Sequence, residues 1–325
     1  MPPPERTKVD IDCLCAGILF ADVGCAPIER VPRAGELLPT ERIALMLGGC
    51  ASNAALDLSR LGVRVGVSGC VGDDTFGGFI IDALASGGVD IAGVHRRAGS
   101  NTATTMIVNV VGEDRRFICT PGANSLFESN HIPSEWVTSA RVFYVGGFLL
   151  LPRLEGEALV DLFRTARAAG AKTVLDVVYF GDPQSMAVLE EILPETDVFL
   201  PNDDEGAILT GLTDPRDQAE RFRQAGAQTV VITQGERGSL LVTDGLRLRA
   251  GAYPTEFVGG TGSGDAFDAG YIAGLLAGEG PAGCLRWGSA LGASCVRAIG
   301  ATESVFTRDE ALDFLRQHDL PIETF

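Results

Sequence analysis

The chain has 325 residues, 46% of them hydrophobic, and a formal net charge of −17 from 26 basic and 43 acidic side chains. This composition supplies a large core and excludes an intrinsically disordered protein, while the acidic excess repels polyanions and argues against nucleic acid as a partner. Only Lys8 and Lys172 are lysines and neither follows a glycine, which excludes a G-x-x-x-x-G-K-[ST] phosphate-binding loop.

The N-terminal segment MPPPERTKVD contains charges and prolines where a secretory segment requires an apolar stretch. The longest apolar run, around 142–151, includes two glycines and is too short to cross a bilayer. The eight cysteines lie mostly within apolar stretches rather than in C-x-x-C pairs, which is typical of buried reduced thiols. We therefore expect a cytoplasmic protein with no membrane partner.

Strand-like runs alternate with helical patterns up to Gly259, and only helical patterns follow it. This alternation predicts parallel βαβ units in an α/β fold with three layers, and no linker divides residues 1–325 into separate domains. The predicted strands span 11–17, 63–71, 105–111, 116–120, 142–145, 173–178, 198–200, 229–233 and 239–243, and the predicted helices span 51–61, 76–86, 155–169, 183–193, 203–210, 217–225, 265–277, 281–299 and 308–318.

Two segments do not fit this alternation. Residues 20–47 contain three prolines, and residues 101–120 alternate around a turn at 112–114, which favours β-hairpins inserted into the α/β body. Inserted hairpins near a ligand pocket can act as a lid, and the alternative is an ordinary surface ribbon. Because exposed edge strands commonly pair across a two-fold axis, we expect a homodimer formed through the lid.

A Gly48-Gly49 pair precedes a predicted helix whose first turn carries Asn53. A side-chain amide both donates and accepts hydrogen bonds, as polyol recognition requires, and the glycine pair leaves room for a small ligand at the backbone. Asp22, after the first strand, can supply a carboxylate acceptor for sugar hydroxyls. The alternative is a structural turn in which Asn53 is satisfied within the protein.

Acidic residues follow the strand at 198–200 in the segment Pro201-Asn202-Asp203-Asp204-Glu205. Ligands of α/β proteins bind at the carboxyl ends of strands, and Mg²⁺ needs only one or two protein oxygens besides water and phosphate. Asn202 and Glu205 are therefore candidates to hold magnesium through water. The alternative is an acidic first helical turn favoured by the helix dipole.

The glycine-rich turn 259–264 leads directly into a helix of small residues and is the most informative stretch. Glycines allow a close backbone approach, and first-turn amides at the positive end of a helix dipole form an anion site suited to a phosphoryl group. Asp265 lies beside these amides and can accept the proton of an attacking hydroxyl. The alternatives are a helix cap and a Rossmann fingerprint, but Phe267 stands where the third glycine of that fingerprint belongs.

Taken in chain order, these motifs resemble the ribokinase-like (PfkB) carbohydrate kinases over nearly the whole chain. The segments that carry the resemblance are GG-x-x-x-N-x-A at 48–55, VGDDTFG at 71–77, PGAN at 121–124, PNDDE at 201–205, TQGERGS at 233–239 and GTGSGDAF at 260–267. The resemblance implies an α/β/α sandwich with a small β lid. It also implies ATP and Mg²⁺ as cosubstrate and cofactor, and transfer of the γ-phosphoryl group to a sugar or nucleoside hydroxyl.

The resemblance also implies roles for individual residues. Asp265 is similar to the family's catalytic base, and the remaining assignments fall into three groups. These are Gly262, Ser263 and Gly264 in the anion hole; Asp22, Gly49 and Asn53 at the acceptor; and Asn202, Glu205, Thr233, Gly235, Gly238 and Ser289 at magnesium and the nucleotide.

Three departures from the family pattern bear on specificity. Gly259 and Gly260 replace the Asp and Thr of the usual D-T-T-G-A-G-D, so a K⁺ site is in doubt although Thr261, Gly300 and Ser304 are suitable. Phe148 stands near the place of a substrate-contacting Glu of ribokinases and resembles the aromatic of adenosine kinases; its alternative role is core packing. No basic pattern typical of acceptors that are already phosphorylated is present, which favours an uncharged acceptor.

The leading hypothesis is an ATP-dependent kinase of a free sugar such as ribose, fructose or 2-keto-3-deoxygluconate. An adenosine or nucleoside kinase is the alternative within the same chemistry. An inactive ligand-binding relative is the alternative from another class, and the presence of Asp265, Asn202 and Glu205 argues against it. Catalysis through histidine is disfavoured because the three histidines lie outside the glycine turns.

Overall fold

The computed structural model describes residues 11–113, 116–179 and 185–325. Lys8, the end of the turn expected at 112–114 and the beginning of the helix expected at 183 lie outside these residues.

The described residues form two β-sheets and a set of flanking helices. The strands are β1 (Cys13–Gly17), β2 (Phe20–Cys25), β3 (Ile43–Gly48), β4 (Val65–Gly72), β5 (Asp90–Arg97), β6 (Thr104–Val108), β7 (Arg116–Thr120), β8 (Val142–Gly146), β9 (Lys172–Leu175), β10 (Val198–Phe199), β11 (Thr229–Thr233), β12 (Ser239–Val242), β13 (Arg247–Ala250) and β14 (Ile322–Thr324). The helices are α1 (Cys50–Arg60), α2 (Thr75–Ser86), α3 (Ser134–Ser139), α4 (Gly156–Ala168), α5 (Ser185–Ile192), α6 (Asp203–Thr210), α7 (Pro215–Gln224), α8 (Ser263–Ala277), α9 (Pro281–Cys295) and α10 (Arg308–Gln317).

The large sheet has the strand order β14-β13-β12-β11-β10-β9-β8-β1-β4-β5. Strands β11 through β5 in this order pair in parallel, and β12, β13 and β14 extend the sheet with antiparallel pairs. Alternate residues of β1 enter different core clusters: Cys13 and Cys15 pack on one side of the sheet, and Leu14 and Ala16 on the other. Both faces are therefore covered, which explains the continuous apolar runs of the central strands and confirms the predicted three-layer α/β/α architecture.

The small sheet is the lid expected from segments 20–47 and 101–120. Its strand order is β3-β2-β6-β7, with β2 and β6 parallel and the outer pairs antiparallel. Directly paired residues share a face. Asp22, Thr105 and Cys119 therefore lie in one row on one face of the lid, and the neighbouring residues of each strand lie on the opposite face.

The expectation of helices alone after Gly259 was wrong, because β14 adds an antiparallel edge strand beside β13. Sequence patterns also missed β5, β13 and the short helix α3. These strands lie at or near the edges of the sheet, where half-exposed side chains such as those of β5 dilute the apolar signal. Helix α9 ends at Cys295, before the predicted limit at 299. None of the described helices is both long and apolar enough to span a membrane.

Candidate active site

The carboxyl ends of neighbouring parallel strands bring several predicted residues to one edge of the large sheet. Asp176 directly follows β9, Asn202 follows β10, and Thr233 ends β11, with a parallel bridge between Asn202 and Thr233. This edge is where open α/β sheets bind ligands. The lid and the N-terminal ends of α1 and α8 converge on the same place.

The glycine turn before α8 has two glycines with different roles. Gly262 is the N-cap with φ of 77°, and a side chain there would overlap Ala301. A Cβ at Gly264 would meet no atom within 4 Å, so the space beside the first helical turn is open. The amide of Ser263 already donates to the Gly260 carbonyl at 3.3 Å. The first-turn amides of Gly264 and Asp265 have no helical acceptor by geometry, and they are therefore the better candidates for an anion hole.

Asp265 lies beside the start of α1. Asn53 Nδ2 donates to Asp265 Oδ2 at 2.7 Å, although 212 residues separate them in the chain. Burial raises the pKa of Asp265, and hydrogen bonds from Asn53 and Cys50 oppose that rise. Gly49 has φ of 91°, and a Cβ there would lie 2.5 Å from the Ile18 carbonyl oxygen, so this glycine lets the start of α1 pack against the backbone that follows β1. The arrangement holds a carboxylate in place next to helix amides.

Two residues of this cluster were missed by sequence reasoning. Cys50 Sγ and one carboxylate oxygen each of Asp176 and Asp265 lie within 4.8 Å of one another. Asp176 Oδ2 accepts a hydrogen bond from the Gly147 amide at 3.0 Å, and its pKa is raised by burial and by the charges of Glu205 and Asp265. The available signal was a carboxylate at the end of the apolar run 173–175, which the predicted strand 173–178 had placed inside a strand.

Asn202 and Glu205 form the capping box of α6. Glu205 N donates to Asn202 Oδ1 at 2.8 Å, and Asn202 N donates to Glu205 Oε2 at 3.0 Å. The alternative of an acidic first helical turn therefore describes part of their role. Burial and the charge of Asp265 raise the pKa of Glu205, which the hydrogen bond from Asn202 opposes, to about 7.

The oxygens of this cluster fit a magnesium ion. The charges of Glu205 and Asp265 raise the pKa of Asp176, and the charge of Asp265 raises that of Glu205, so a divalent cation would relieve a repulsion between these carboxylates. The Cys50 thiol does not suit magnesium, which prefers oxygen ligands. The fit therefore rests on the carboxylates and on Asn202.

The lid contributes Asp22, whose side chain is only 7% exposed. A side chain at Gly48 would overlap the Asp22 carboxylate, so this glycine makes room for it. Burial raises the pKa of Asp22 to about 6; a hydrogen bond from Thr105 lowers it, and the charge of Asp265 adds to the rise. Asp22 and Asp265 thus face the same region from the lid and from the body of the protein.

A cavity of about 200 Å³ lies on the face of the lid that carries Asp22. Its lining residues are Phe20, Cys119, Pro121, Asn124 and Leu150. The Asn124 amide is used by the backbone of Leu19, in both directions and at 3.1 Å each, so this polar side chain is already satisfied. The cavity therefore presents an apolar surface to a ligand.

Phe148 does not line that cavity. It is 3% exposed and belongs to the core cluster beneath β8, which favours core packing over the predicted contact with an acceptor. Phe20, on β2, provides the aromatic surface instead.

The turn predicted to bind nucleotide joins β11 to β12. Gly235 is exposed with φ of 57° and has open space at its Cβ position. The glycine at position 238 has a structural role, since any side chain there would overlap the Ala250 carbonyl. Thr233 is half-buried at the end of β11, and Ser289 is buried within α9. Of the residues predicted to bind the nucleotide at this turn, Thr233 and Gly235 are therefore the ones that a ligand can reach.

The residues implied for a monovalent cation do not fit one. Gly259 offers no carboxylate, and Ser304 Oγ is turned inward, donating to the carbonyls of Ser294 and Cys295 at 2.7 and 2.9 Å. Cys295 Sγ donates to the Thr261 and Ala301 carbonyls at 3.3 and 3.0 Å. Four of the carbonyls in this region are thus engaged by side-chain donors of the protein itself.

Comparison with known proteins agrees with the geometry. The sequence profile of the pfkB family carbohydrate kinases matches residues 11–308. Ribokinase of Haemophilus influenzae is 28% identical, over 86% of this chain and 91% of that protein. The 5-dehydro-2-deoxygluconokinase of Clostridium perfringens is 26% identical, over 83% and 84%. Aminoimidazole riboside kinase of Salmonella typhimurium is 28% identical, over 84% and 89%.

Solved structures share the fold. The structure of Arabidopsis thaliana ribokinase complexed with ribose and ATP superposes with a TM-score of 0.81 at 23% identity, covering 94% of this chain and 99% of that one.

Proposed function

The chain belongs to the pfkB family of carbohydrate kinases, and we propose that it transfers the γ-phosphoryl group of ATP to a hydroxyl of an unphosphorylated sugar. The observation that carries this proposal is the Asn53–Asp265 hydrogen bond of 2.7 Å, which joins the two glycine motifs at the open first turn of α8. An inactive relative would not need a half-buried carboxylate beside first-turn amides that have no helical acceptor.

Asp265 is the proposed general base. Its carboxylate accepts the proton of the acceptor hydroxyl as that oxygen attacks the γ-phosphorus, and the bond from the phosphorus to the β-phosphate oxygen breaks. Amides of Gly264 and Asp265 donate to the phosphoryl oxygens. Asn53 orients the carboxylate, and closure of the lid excludes water from the reaction.

Magnesium is the proposed cofactor, and Asn202, Glu205 and Asp176 are the residues that would hold it, directly or through water. When bound, it neutralises charge on the phosphates. Thr233 and Gly235 are proposed to line the nucleotide, and Ser289 remains a prediction for the adenine side.

The acceptor lies between the lid and α1 in this proposal. Asp22 and Asn53 are the groups proposed to bind its hydroxyls, and Gly49 is proposed to support the site by letting the start of α1 pack closely against Ile18. An acceptor phosphate would face the carboxylates of Asp22 and Asp265, so an uncharged sugar is favoured.

A riboside is the second candidate acceptor. The apolar cavity of about 200 Å³ on the face of the lid that carries Asp22 suits the aromatic group of a riboside better than a sugar hydroxyl. A relative named aminoimidazole riboside kinase supports this alternative.

We also propose a cytoplasmic, homodimeric enzyme. All eight cysteines are free, six of them buried, which suits a reducing compartment. The apolar outer face of the lid supports dimerisation.

The test is a phosphorylation assay with ATP and Mg²⁺ over ribose, fructose, 2-keto-3-deoxygluconate, adenosine and inosine. We expect turnover with at least one acceptor, and a loss of about 10²–10⁴-fold in kcat for Asp265→Asn. The same variant should still bind a non-hydrolysable ATP analogue, measured by calorimetry. Near-normal turnover by Asp265→Asn would refute the assignment of the base, and no ATP consumption with any acceptor would favour the inactive relative.

A further inference from the structure

The segment 300–304 follows the turn after α9 and is called the 300–304 loop. Three arginines contact three consecutive residues of this loop, and two of them, Arg42 and Arg60, come from distant parts of the chain. Arg60, at the end of α1, donates to the Thr302 carbonyl. Arg42, before β3, pairs with Glu303 at 3.5 Å. Arg297 donates to the Ser304 carbonyl at 2.7 Å.

This loop lies directly against the glycine turn that begins α8. A side chain at Gly262 would overlap Ala301, so the two backbones are in close contact. The Cys295 thiol ties the two segments together, because it donates to the carbonyls of both Thr261 and Ala301. The position of the 300–304 loop therefore influences the position of the amides proposed to bind the phosphoryl group.

Arg297 is placed as a fixed cation against carbonyl oxygens. Its Nε donates to the Ser294 carbonyl at 3.0 Å, near the C-terminal end of α9, and its Nη2 donates to the Ser304 carbonyl. The guanidinium lies over the Phe306 ring, 4.6 Å from its centroid. A guanidinium presents several donors in a rigid plane, and positive charge is favourable at the carboxyl end of a helix.

We propose that Arg297 performs the ordering role of a monovalent cation in this protein, so that the kinase needs no K⁺ for activity. The inference rests on the proposed kinase function and on the poor fit of Gly259 and Ser304 to such an ion. Arg297 is a positioning residue, since it acts on the 300–304 loop and through that loop on Gly262.

The first experiment measures turnover and the affinity of a non-hydrolysable ATP analogue in K⁺, Na⁺ and tetramethylammonium chloride at constant ionic strength. Both quantities should agree within about twofold across the three salts. Saturable activation or tightening by K⁺ of more than fivefold would overturn the proposal. Absence of turnover in every salt would count against the kinase function instead, while the analogue affinities would still decide whether K⁺ acts.

The second experiment removes the guanidinium group of Arg297. Arg297→Ala should raise the KM for ATP about tenfold and leave the KM for the acceptor unchanged; millimolar methylguanidinium should recover part of the loss. Arg297→Lys should retain more activity than the alanine variant. The matched control Arg316→Ala removes another exposed arginine, paired with Asp313 on α10, and should leave the KM unchanged. Parental KM values in Arg297→Ala, or a loss that neither methylguanidinium nor lysine relieves, would refute the positioning role.

Discussion

Asp265 lies between two hydrogen-bond donors of different kinds, the Asn53 amide and the Cys50 thiol. Both stabilise the ionised carboxylate, which is the form that can accept a proton from an acceptor hydroxyl. Cys50 also bonds to Asp176, so its thiol lies between two carboxylates, and the charge of Asp265 raises the pKa of Asp176. A single side chain thus affects how easily the proposed base ionises.

This arrangement predicts different pH profiles for two substitutions of Cys50. Cys50→Ala removes a donor, so the pKa of Asp265 should rise and the acid limb of the kcat profile should move upward by about half a pH unit. Cys50→Ser keeps a donor and should leave the limb within a few tenths of a unit of the parent. Initial rates from pH 5 to pH 9 measure both, and identical limbs in the parent and the alanine variant would exclude the hydrogen bond as a contributor.

Glu205 and Asp22 give a second pH prediction, on stability. Their folded pKa values of about 7 and about 6 lie above those of the unfolded chain, so the folded state binds protons more tightly. Their stabilising contribution is complete below about pH 4 and is lost as the pH rises through 6 and 7. The melting temperature of the ligand-free protein should therefore fall between pH 5 and pH 8.

Glu205→Gln should flatten that dependence, because glutamine can still accept the capping hydrogen bond of Asn202 but does not titrate. The matched control Glu323→Gln removes an exposed carboxylate on β14 and should keep the parental slope. Thermal melts at unit intervals of pH measure the difference. Equal slopes in the two variants would show that Glu205 does not contribute.

Individual site residues were predictable where a backbone motif marked them. Asp265 and Asn53 each follow glycines at the start of a helix, and Glu205 completes a capping pattern three residues after Asn202. Asp176 has no such mark, and Cys50 follows the Gly48-Gly49 pair but was interpreted, with the other cysteines, as a buried thiol. Their proximity arises from pairing β8 with β9 and from packing α1 against the large sheet, and neither the pairing nor the packing can be read from local sequence.

Among the elements, the beginning of α8 separates a structural glycine from a functional one. Gly262→Ala should destabilise the fold by a few kcal/mol, since alanine is strained at φ of 77° and its methyl group would overlap Ala301. Gly264→Ala should keep the stability or raise it by up to about 1 kcal/mol, because alanine is the better helix former and its Cβ has open space.

In ligand binding, Gly264→Ala should have the larger effect of the two variants. The methyl group of Gly264→Ala enters the space proposed for the phosphoryl group, so ATP affinity should fall at least tenfold while the fold is retained. Urea unfolding and titration with an ATP analogue measure the two effects separately. Unchanged ATP affinity in Gly264→Ala would remove the first turn of α8 from the nucleotide site.

The elements themselves were predictable in proportion to their burial. Central strands such as β8 are buried along their whole length, and its sequence VFYVG contains no charged residue. The edge strands β5 and β14 are partly exposed, and pairing with neighbours determines them more than their own composition does. The lid strands were recognised because turn-forming residues interrupt the helical periodicity around them.

At the scale of the whole molecule, the lid presents an apolar outer face with nothing covering it in the described part of the chain. Leu45, Val23, Met106 and Ile118 pair directly across all four strands of the lid, and Met106 and Ile118 are 52% and 65% exposed. Asp22 lies on the opposite face, toward the site. An uninterrupted apolar row of this kind is a common interface between copies of a chain.

The predicted homodimer can be tested on this row. Met106→Glu places a charge in the middle of the proposed interface of both copies, and the molar mass measured by light scattering should fall from twice 34.1 kDa to 34.1 kDa. Ile208→Glu, at a similarly exposed apolar residue of α6, should keep the parental mass. A parental mass of 34.1 kDa would refute the dimer, and a dimer that survives Met106→Glu would place its interface away from the lid. Because the same sheet carries Asp22 on its other face, loss of the dimer should also raise the KM for the acceptor more than the KM for ATP.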